Sequence, residues 1–205
     1  TGAAVRGDAV SLPAWLSPAS AQLLAAQRAG RLPAALLVHE DPGAGGGQLA
    51  LQFALQLLCR EPQPDGSACG ACARCRRVLA REHPDLHHVV PDPELKSGQI
   101  TVDQVRELSA TLSMTAYEGG ATLVVIRPAE AMNRQACNAL LKTLEEPRPG
   151  AYLLLLTSQP SRLPATVRSC CLVLRAPAPS RQQALEWLRS QRDGDWEAAL
   201  DVLGE

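Results

Sequence analysis

The chain has 205 residues and a net charge of −1, with a pI near 6.4. That is enough chain for one large domain, or one domain and part of a second, with no overall basic field to advertise nucleic acid. Aromatic residues make up only 3 % (Trp15, Phe53, Tyr117, Tyr152, Trp187, Trp196), which speaks against a base-stacking platform and leaves a core of Leu, Val and Ala.

No apolar run approaches the ~20 residues of a membrane helix. No signal peptide opens the chain, so a reducing, cytoplasmic setting is expected. The first residue is Thr1 rather than Met, so a natural start further upstream is an expectation. Arginine concentrates late, at Arg162, Arg168, Arg175, Arg181, Arg189 and Arg192, and reads as a solvated helix face plus one strand end.

In chain order, residues 18–29 read as a helix, with Ser17 as N-cap, Pro18 in the first turn and Gly30 at the end. Residues 34–38 read as a buried strand. Leu49, Phe53 and Leu57, with Ala50, Ala54 and Leu58, mark a helix over 48–58. Residues 60–70 are a loop, His83-Pro84-Asp85 a turn, and 86–90 a strand. Thr101 and Gln104 form a capping box before a helix whose buried face is Val102, Val105, Leu108 and Leu112. A β-branched strand covers 122–126. A helix over 133–146 carries Cys137, Leu140, Leu141 and Leu144 on one face and stops at Pro147. Strands follow at 153–156 and 171–174, then a Pro-rich linker at 176–179, a helix from Arg181 to about Gln191, and a helical pattern beginning near Trp196. Alternating strands and helices with nearly continuous apolar strands predict a parallel sheet covered on both faces. The linker sets the expected division: an α/β module over 1–175 and a second, smaller unit over 176–205.

The segment from His39 through Pro42-Gly43-Ala44-Gly45-Gly46-Gly47 to Gln48 sits between the first strand and the second helix, the setting of a phosphate-binding loop. In a working P-G-x-G-K-[ST] loop the Lys contacts the β/γ-phosphates and the hydroxyl holds Mg²⁺. Those two positions are Gly46 and Gly47, which supply neither charge nor oxygen. A working site also needs acidic residues at the end of a buried strand. After the strand 122–126 stand Arg127 and Pro128, and Glu130 comes three residues late, facing the next turn. Nucleotide binding at Gly43, Gly45, Gly46 and Gly47, and ATP hydrolysis by this chain, are therefore not expected.

Seven cysteines are an odd count for disulfides, and four of them, Cys59, Cys69, Cys72 and Cys75, give the spacing C-x9-C-x2-C-x2-C. Four thiolates complete a tetrahedral Zn²⁺ shell and leave no open position, so the expected site is structural. A redox pair at Cys72/Cys75, an iron–sulfur cluster and buried free thiols are the alternatives. Cys137, Cys170 and Cys171 read as core residues.

These motifs converge on a known family. Gly30 to Leu37, the Pro42-Gly43-x-Gly45 loop, the cysteine insert, His83-Pro84-Asp85, Asn138 to Pro147, Leu156-Thr157 and Leu163 to Ser169 resemble the delta-prime family of bacterial DNA polymerase III clamp-loader subunits, within the AAA+ proteins. The resemblance covers residues 12–192. It implies an AAA+ α/β module with a zinc-binding insert at 59–75, followed by the start of a small helical lid at 176–205. A C-terminal collar domain would lie beyond this chain.

The resemblance also implies a non-hydrolysing, stator-like subunit of the polymerase holoenzyme. Its partners would be gamma/tau and delta subunits and, through the complex, the sliding β clamp and primed DNA. An ATP-hydrolysing gamma/tau-type subunit and a zinc-dependent nucleic-acid-binding module are the competing readings. In one place the chain departs from the family. Where the family has Ser-Arg-Cys, whose Arg reaches a neighbour's ATP site, this chain has Ser169-Cys170-Cys171. Arg168 stands two positions earlier, either as a substitute arginine finger or as an exposed or salt-bridged arginine. Thr157, at the family's polar sensor position, reads as a strand-end hydrogen bonder, and Lys142 as solvent-exposed.

Overall fold

A computed structural model describes residues 12–191 except Lys96. Five parallel strands, β1 (Ala35–Glu40), β2 (Leu86–Val89), β3 (Thr122–Ile126), β4 (Ala151–Thr157) and β5 (Leu172–Ala176), form one sheet in the order β2-β3-β4-β1-β5. This is the expected α/β architecture.

Period-two alternation sorts the strand side chains into two cores. Leu36, Val38, Leu123, Val125, Leu154 and Leu156 face α1 (Ser17–Arg28), α2 (Gly46–Leu58) and α3 (Ala73–Ala80), where they meet Leu23, Leu49, Phe53 and Val78. Leu37, Val124, Ile126, Leu153 and Leu155 face the other way. They meet Val105, Leu108 and Leu112 of α4 (Val102–Ser113), Leu140 and Leu144 of α5 (Arg134–Glu145), and Val167 of α6 (Ala165–Ser169). Both faces of β3 and β4 are buried, which is why their sequences are apolar without a break.

The elements differ from the sequence reading mainly at their ends. A 3-10 turn at Ala14–Leu16 runs directly into α1, so Leu16 rather than Ser17 precedes the helix. β1 continues to Glu40, and β5 starts at Leu172 and takes in Ala176, which shortens the linker. α3 and α6 were not foreseen. The capping box of α4 is present in both directions, and Asn133 caps α5 by accepting from Ala136 N at 2.8 Å. α7 spans Arg181–Gln191; the pattern near Trp196 lies outside the described residues.

Candidate functional site

The loop between β1 and α2 carries the glycines expected of a phosphate-binding loop. Gly43 and Gly45 take φ values of 78° and 87°, a left-handed conformation that glycine adopts without strain, and Gly45 is the N-cap of α2. Trp15 Nε1 donates to Ala44 O at 2.7 Å and ties the loop to the 3-10 turn before α1.

Beside Gly46 and Gly47 sits an ion pair. Glu40, the last residue of β1 and buried, accepts from Arg127 Nε at 2.9 Å and Nη2 at 3.3 Å. Arg127 follows β3, so β1 and β3 each contribute one charge beside the start of α2. The two glycines make room for the pair. A Cβ on Gly46 would overlap the Glu40 carboxylate and lie 3.1 Å from Leu156 Cδ2; one on Gly47 would lie 2.7 Å from Arg127 Nη1. The volumes a lysine and a hydroxyl residue would start from are taken by a carboxylate and a guanidinium. A carboxylate here repels phosphate oxygens, and a guanidinium at the strand end repels Mg²⁺.

Glu130 does not serve its own next turn. It reaches the end of β4, where its Oε1 accepts from Ser158 N at 3.1 Å and Ser158 Oγ at 2.8 Å. Desolvation pushes its carboxyl up, but hydrogen bonding from Thr157 and Ser158 outweighs this and holds it below the usual carboxylate range. Thr157 is fully buried and accepts from Gln159 N at 3.1 Å, as a strand-end hydrogen bonder should. Lys142 is exposed on α5. Arg168 is exposed in the last turn of α6, with no side-chain hydrogen bond or ion pair among the described residues. Cys137 is buried, while Cys170 and Cys171 are part-buried against the same core.

The four clustered cysteines come together from the end of α2, the loop after it and the start of α3. Their sulfurs all lie within 4.8 Å of one another. Cys59 and Cys69 sulfurs are 3.6 Å apart, and Cys69 and Cys75 sulfurs 3.9 Å. Ligands of a tetrahedral Zn²⁺ with bonds near 2.3 Å stand about 3.8 Å apart, so the spacing fits. Backbone N–H groups of Cys69, Cys72 and Cys75 point at the sulfurs of Cys59, Cys69 and Cys72, at 3.3–3.5 Å. Such donors stabilise thiolates.

The Cys72 thiol is brought down to about 6: desolvation opposes this, but the N–H groups of Cys75 and Arg60 and the neighbouring thiols outweigh it. Burial and the thiols of Cys72 and Cys59 push Cys75 up, and burial pushes Cys59 up. Thiols this close cannot all ionise unless a cation balances them, and a divalent metal supplies that charge.

The cysteine segment is fastened to the sheet by charge. On α3, Arg74 Nε meets Glu118 at 2.9 Å and Arg77 pairs with its other oxygen. His83, buried beneath, accepts from Asp85 N on Nδ1 at 3.1 Å and turns Nε2 toward Glu118 at 3.7 Å. Burial pushes the His83 imidazole down; Glu118 and Asp85 pull it up, and Arg74 and Arg77 push it down. The folded protein thus holds this proton less readily than the unfolded chain. The associated stability is complete above the free imidazole value of about 6.5 and drains away as pH falls below it. Melting curves at pH 7.5 and 5.0 should therefore fall in midpoint toward acid, and His83→Gln should flatten that fall. An unchanged slope in the variant would remove His83 from the account.

A family model described as "DNA polymerase III, delta subunit" matches residues 16–180. The Pseudomonas aeruginosa protein named DNA polymerase III subunit delta' is 44% identical over 82% of this chain, and the Escherichia coli protein of that name is 38% identical over 92%. The chain belongs to the delta-prime family of DNA polymerase III. It spans about half the length of these delta-prime relatives, 51% and 56% respectively. A Thermotoga maritima protein described as related to the DNA polymerase III gamma subunit has the same fold, with a TM-score of 0.60 at 20% identity over 89% of this chain and 53% of its own. The likeness is one of fold: a five-stranded parallel sheet with flanking helices.

Sequence reasoning on this delta-prime chain singled out the glycine loop, Arg127 and the four cysteines, and the four sulfurs do lie together. It missed Glu40 as the partner of Arg127 and Glu118 as the strut under the cysteine segment. A signal for the first was present: an acid at the end of β1 and a base at the end of β3 both depart from a working site, with opposite charge.

Proposed function

We propose that the chain is a non-hydrolysing, stator-like subunit of the clamp loader of DNA polymerase III. In this reading it meets gamma/tau-type and delta-type subunits in the cytoplasm and, through the assembly, helps place the sliding clamp on primed DNA. The observation that carries it is the Glu40–Arg127 pair seated where Gly46 and Gly47 leave space. A module held shut by its own side chains has no use for nucleotide energy and suits a fixed element against which ATP-driven neighbours move. Among the described residues no helix is long and apolar enough to cross a membrane, in keeping with a replication protein.

The four cysteines, Cys59, Cys69, Cys72 and Cys75, would hold one structural Zn²⁺, which supplies charge balance and a cross-link and no open position for chemistry. Elemental analysis is expected to give one zinc per chain. Titration with Mg·ATP to millimolar concentration is expected to release no binding heat, and micromolar binding would overturn the reading. The chain should co-migrate with a gamma/tau-type ATPase. In that assembly Arg168→Ala decides the arginine question: a fall in ATPase rate of tenfold or more assigns a finger to Arg168, and an unchanged rate leaves it in solvent.

A further inference from the structure

The sheet has an open edge at β2. Among the described residues β2 pairs with β3 alone, in parallel. Leu123 N donates to Asp85 O at 2.8 Å and Arg127 N to Val89 O at 3.0 Å. A parallel ladder turns successive residues to opposite sides, so the N–H and C=O groups of Leu86, His88 and Val90 face away from β3. Leu86 N is met by His83 O, and Val90 O by Gln104 Nε2. Leu86 O, both backbone groups of His88 and Val90 N have no partner among the described residues. Such an edge is a template for one more strand.

A groove lies on each face of this edge. On the α2 face, a space of about 350 Å³ is lined by Leu51, Ala54 and Leu86 together with Arg81, Arg127 and His88, and by no carboxylate. On the α4 face, a space of about 380 Å³ is lined by Val89, Pro91 and Leu108 together with Asp92 and Glu107. His88 borders both, so the two grooves meet at the strand. Successive side chains of an added strand would enter them in turn.

The charges on the two faces are opposite, and that fixes what the strand carries. Arg127 is held by Glu40, but the Arg81 side chain has no hydrogen bond or ion pair among the described residues. Arg81 also closes α3 at φ 61°, a left-handed position that glycine takes without strain, and it is the one non-glycine residue with positive φ among the described residues. An arginine kept where glycine is easier points to use of its side chain.

We propose that the outer edge of β2 docks an extended segment of a partner protein, in which acidic residues facing Arg81 and His88 alternate with apolar residues facing Val89 and Leu108. Backbone pairing supplies the attachment and the two grooves supply the register. A slip of one residue would set the acids against Asp92 and Glu107.

The probe is a phage-displayed library of random short peptides selected on the purified chain, with the enriched peptides then measured by fluorescence anisotropy. Enriched sequences should alternate acidic and apolar residues. Their affinity should fall about tenfold or more in Arg81→Gly and in Val90→Pro alike. Arg81→Gly removes the guanidinium and relaxes the turn, so its melting temperature should hold or rise. Val90→Pro deletes one outward N–H and no bond to β3, and proline is tolerated on an edge. N-methylation of alternate amides in the best peptide should abolish binding, and this decides the question alone if Val90→Pro does not fold. No enrichment over a blank surface overturns the proposal, as do peptides that bind both folded variants as tightly as the wild type. Binding that needs Arg81 but survives both Val90→Pro and N-methylation is an ion contact without strand pairing and overturns it too. No clamp-loader subunit enters the test, so its outcome is separate from the function proposed above.

Discussion

Replacing Cys72 with Ser is expected to lower zinc content well below one per chain and to reduce the melting temperature by about 6–12 °C. The figure follows from a loss of roughly 3 kcal/mol at about 2–4 °C per kcal/mol for a chain of this size. The loss is this large because Cys72 does two things. Its sulfur accepts from Cys75 N and caps α3, and it stands within bonding reach of the same metal position as Cys59, Cys69 and Cys75. Cys75 and Val78 belong to the same core as Leu58 and Phe53, so slackening α3 opens that core along one side. Amide exchange should accelerate first in residues 59–80. Strong chelation of the wild-type chain should reproduce both effects, and Cys170→Ser, outside the cluster, should produce neither. A Cys72→Ser chain with full zinc and an unchanged midpoint would rule out the structural site.

The second large effect is asymmetric. Arg127→Ala is expected to destabilise the fold by about 2 kcal/mol, and Glu40→Ala by less than about half of that. Glu40 is nearly buried, with a side chain 9% exposed, whereas the Arg127 side chain is 49% exposed. Removing the arginine strands a carboxylate in the sheet's edge of the loop, while removing the glutamate leaves a cation that water can reach. The magnitude is kept well below that of a fully buried pair because solvent screens the exposed half. Denaturant titration of both single variants and the double variant measures the coupling directly. Equal costs for the two single substitutions would show that the pair does not seal the loop. Neither variant is expected to gain ATP affinity, since Gly46 and Gly47 still lack the groups that hold triphosphate and Mg²⁺.

The features legible in the sequence were those written locally. Thr101 and Gln104 announce the start of α4 because a capping box needs only four residues, and Asn133 does the same for α5. The apolar runs of β3 and β4 declare strands with two buried faces. The cysteine spacing brings three thiols within one turn, and Cys59 follows from its place at the end of α2. α3 was hidden because it is short and three of its eight residues are arginine: its helical spacing shows only once Cys75 and Val78 are known to face the core.

Contacts between distant residues were not legible. Glu40 ends β1 and Arg127 follows β3, strands that are not even neighbours in the sheet, with β4 between them, and only the folded register brings the two residues together. Glu118 likewise looks like an ordinary loop acid until Arg74, Arg77 and His83 are seen around it.

The strand order carries a consequence for how the protein is made. β1 emerges first from the ribosome yet occupies an inner position, flanked by β4 through Ala35 and Leu153 and by β5 through Leu36 and Leu172. Until both late strands have been synthesised, an apolar ribbon from Ala35 to Val38 has two bare edges and no cover. Nascent chains stalled before Leu172 should therefore be sticky and dependent on chaperones, and solubility should appear abruptly once the last strand is available.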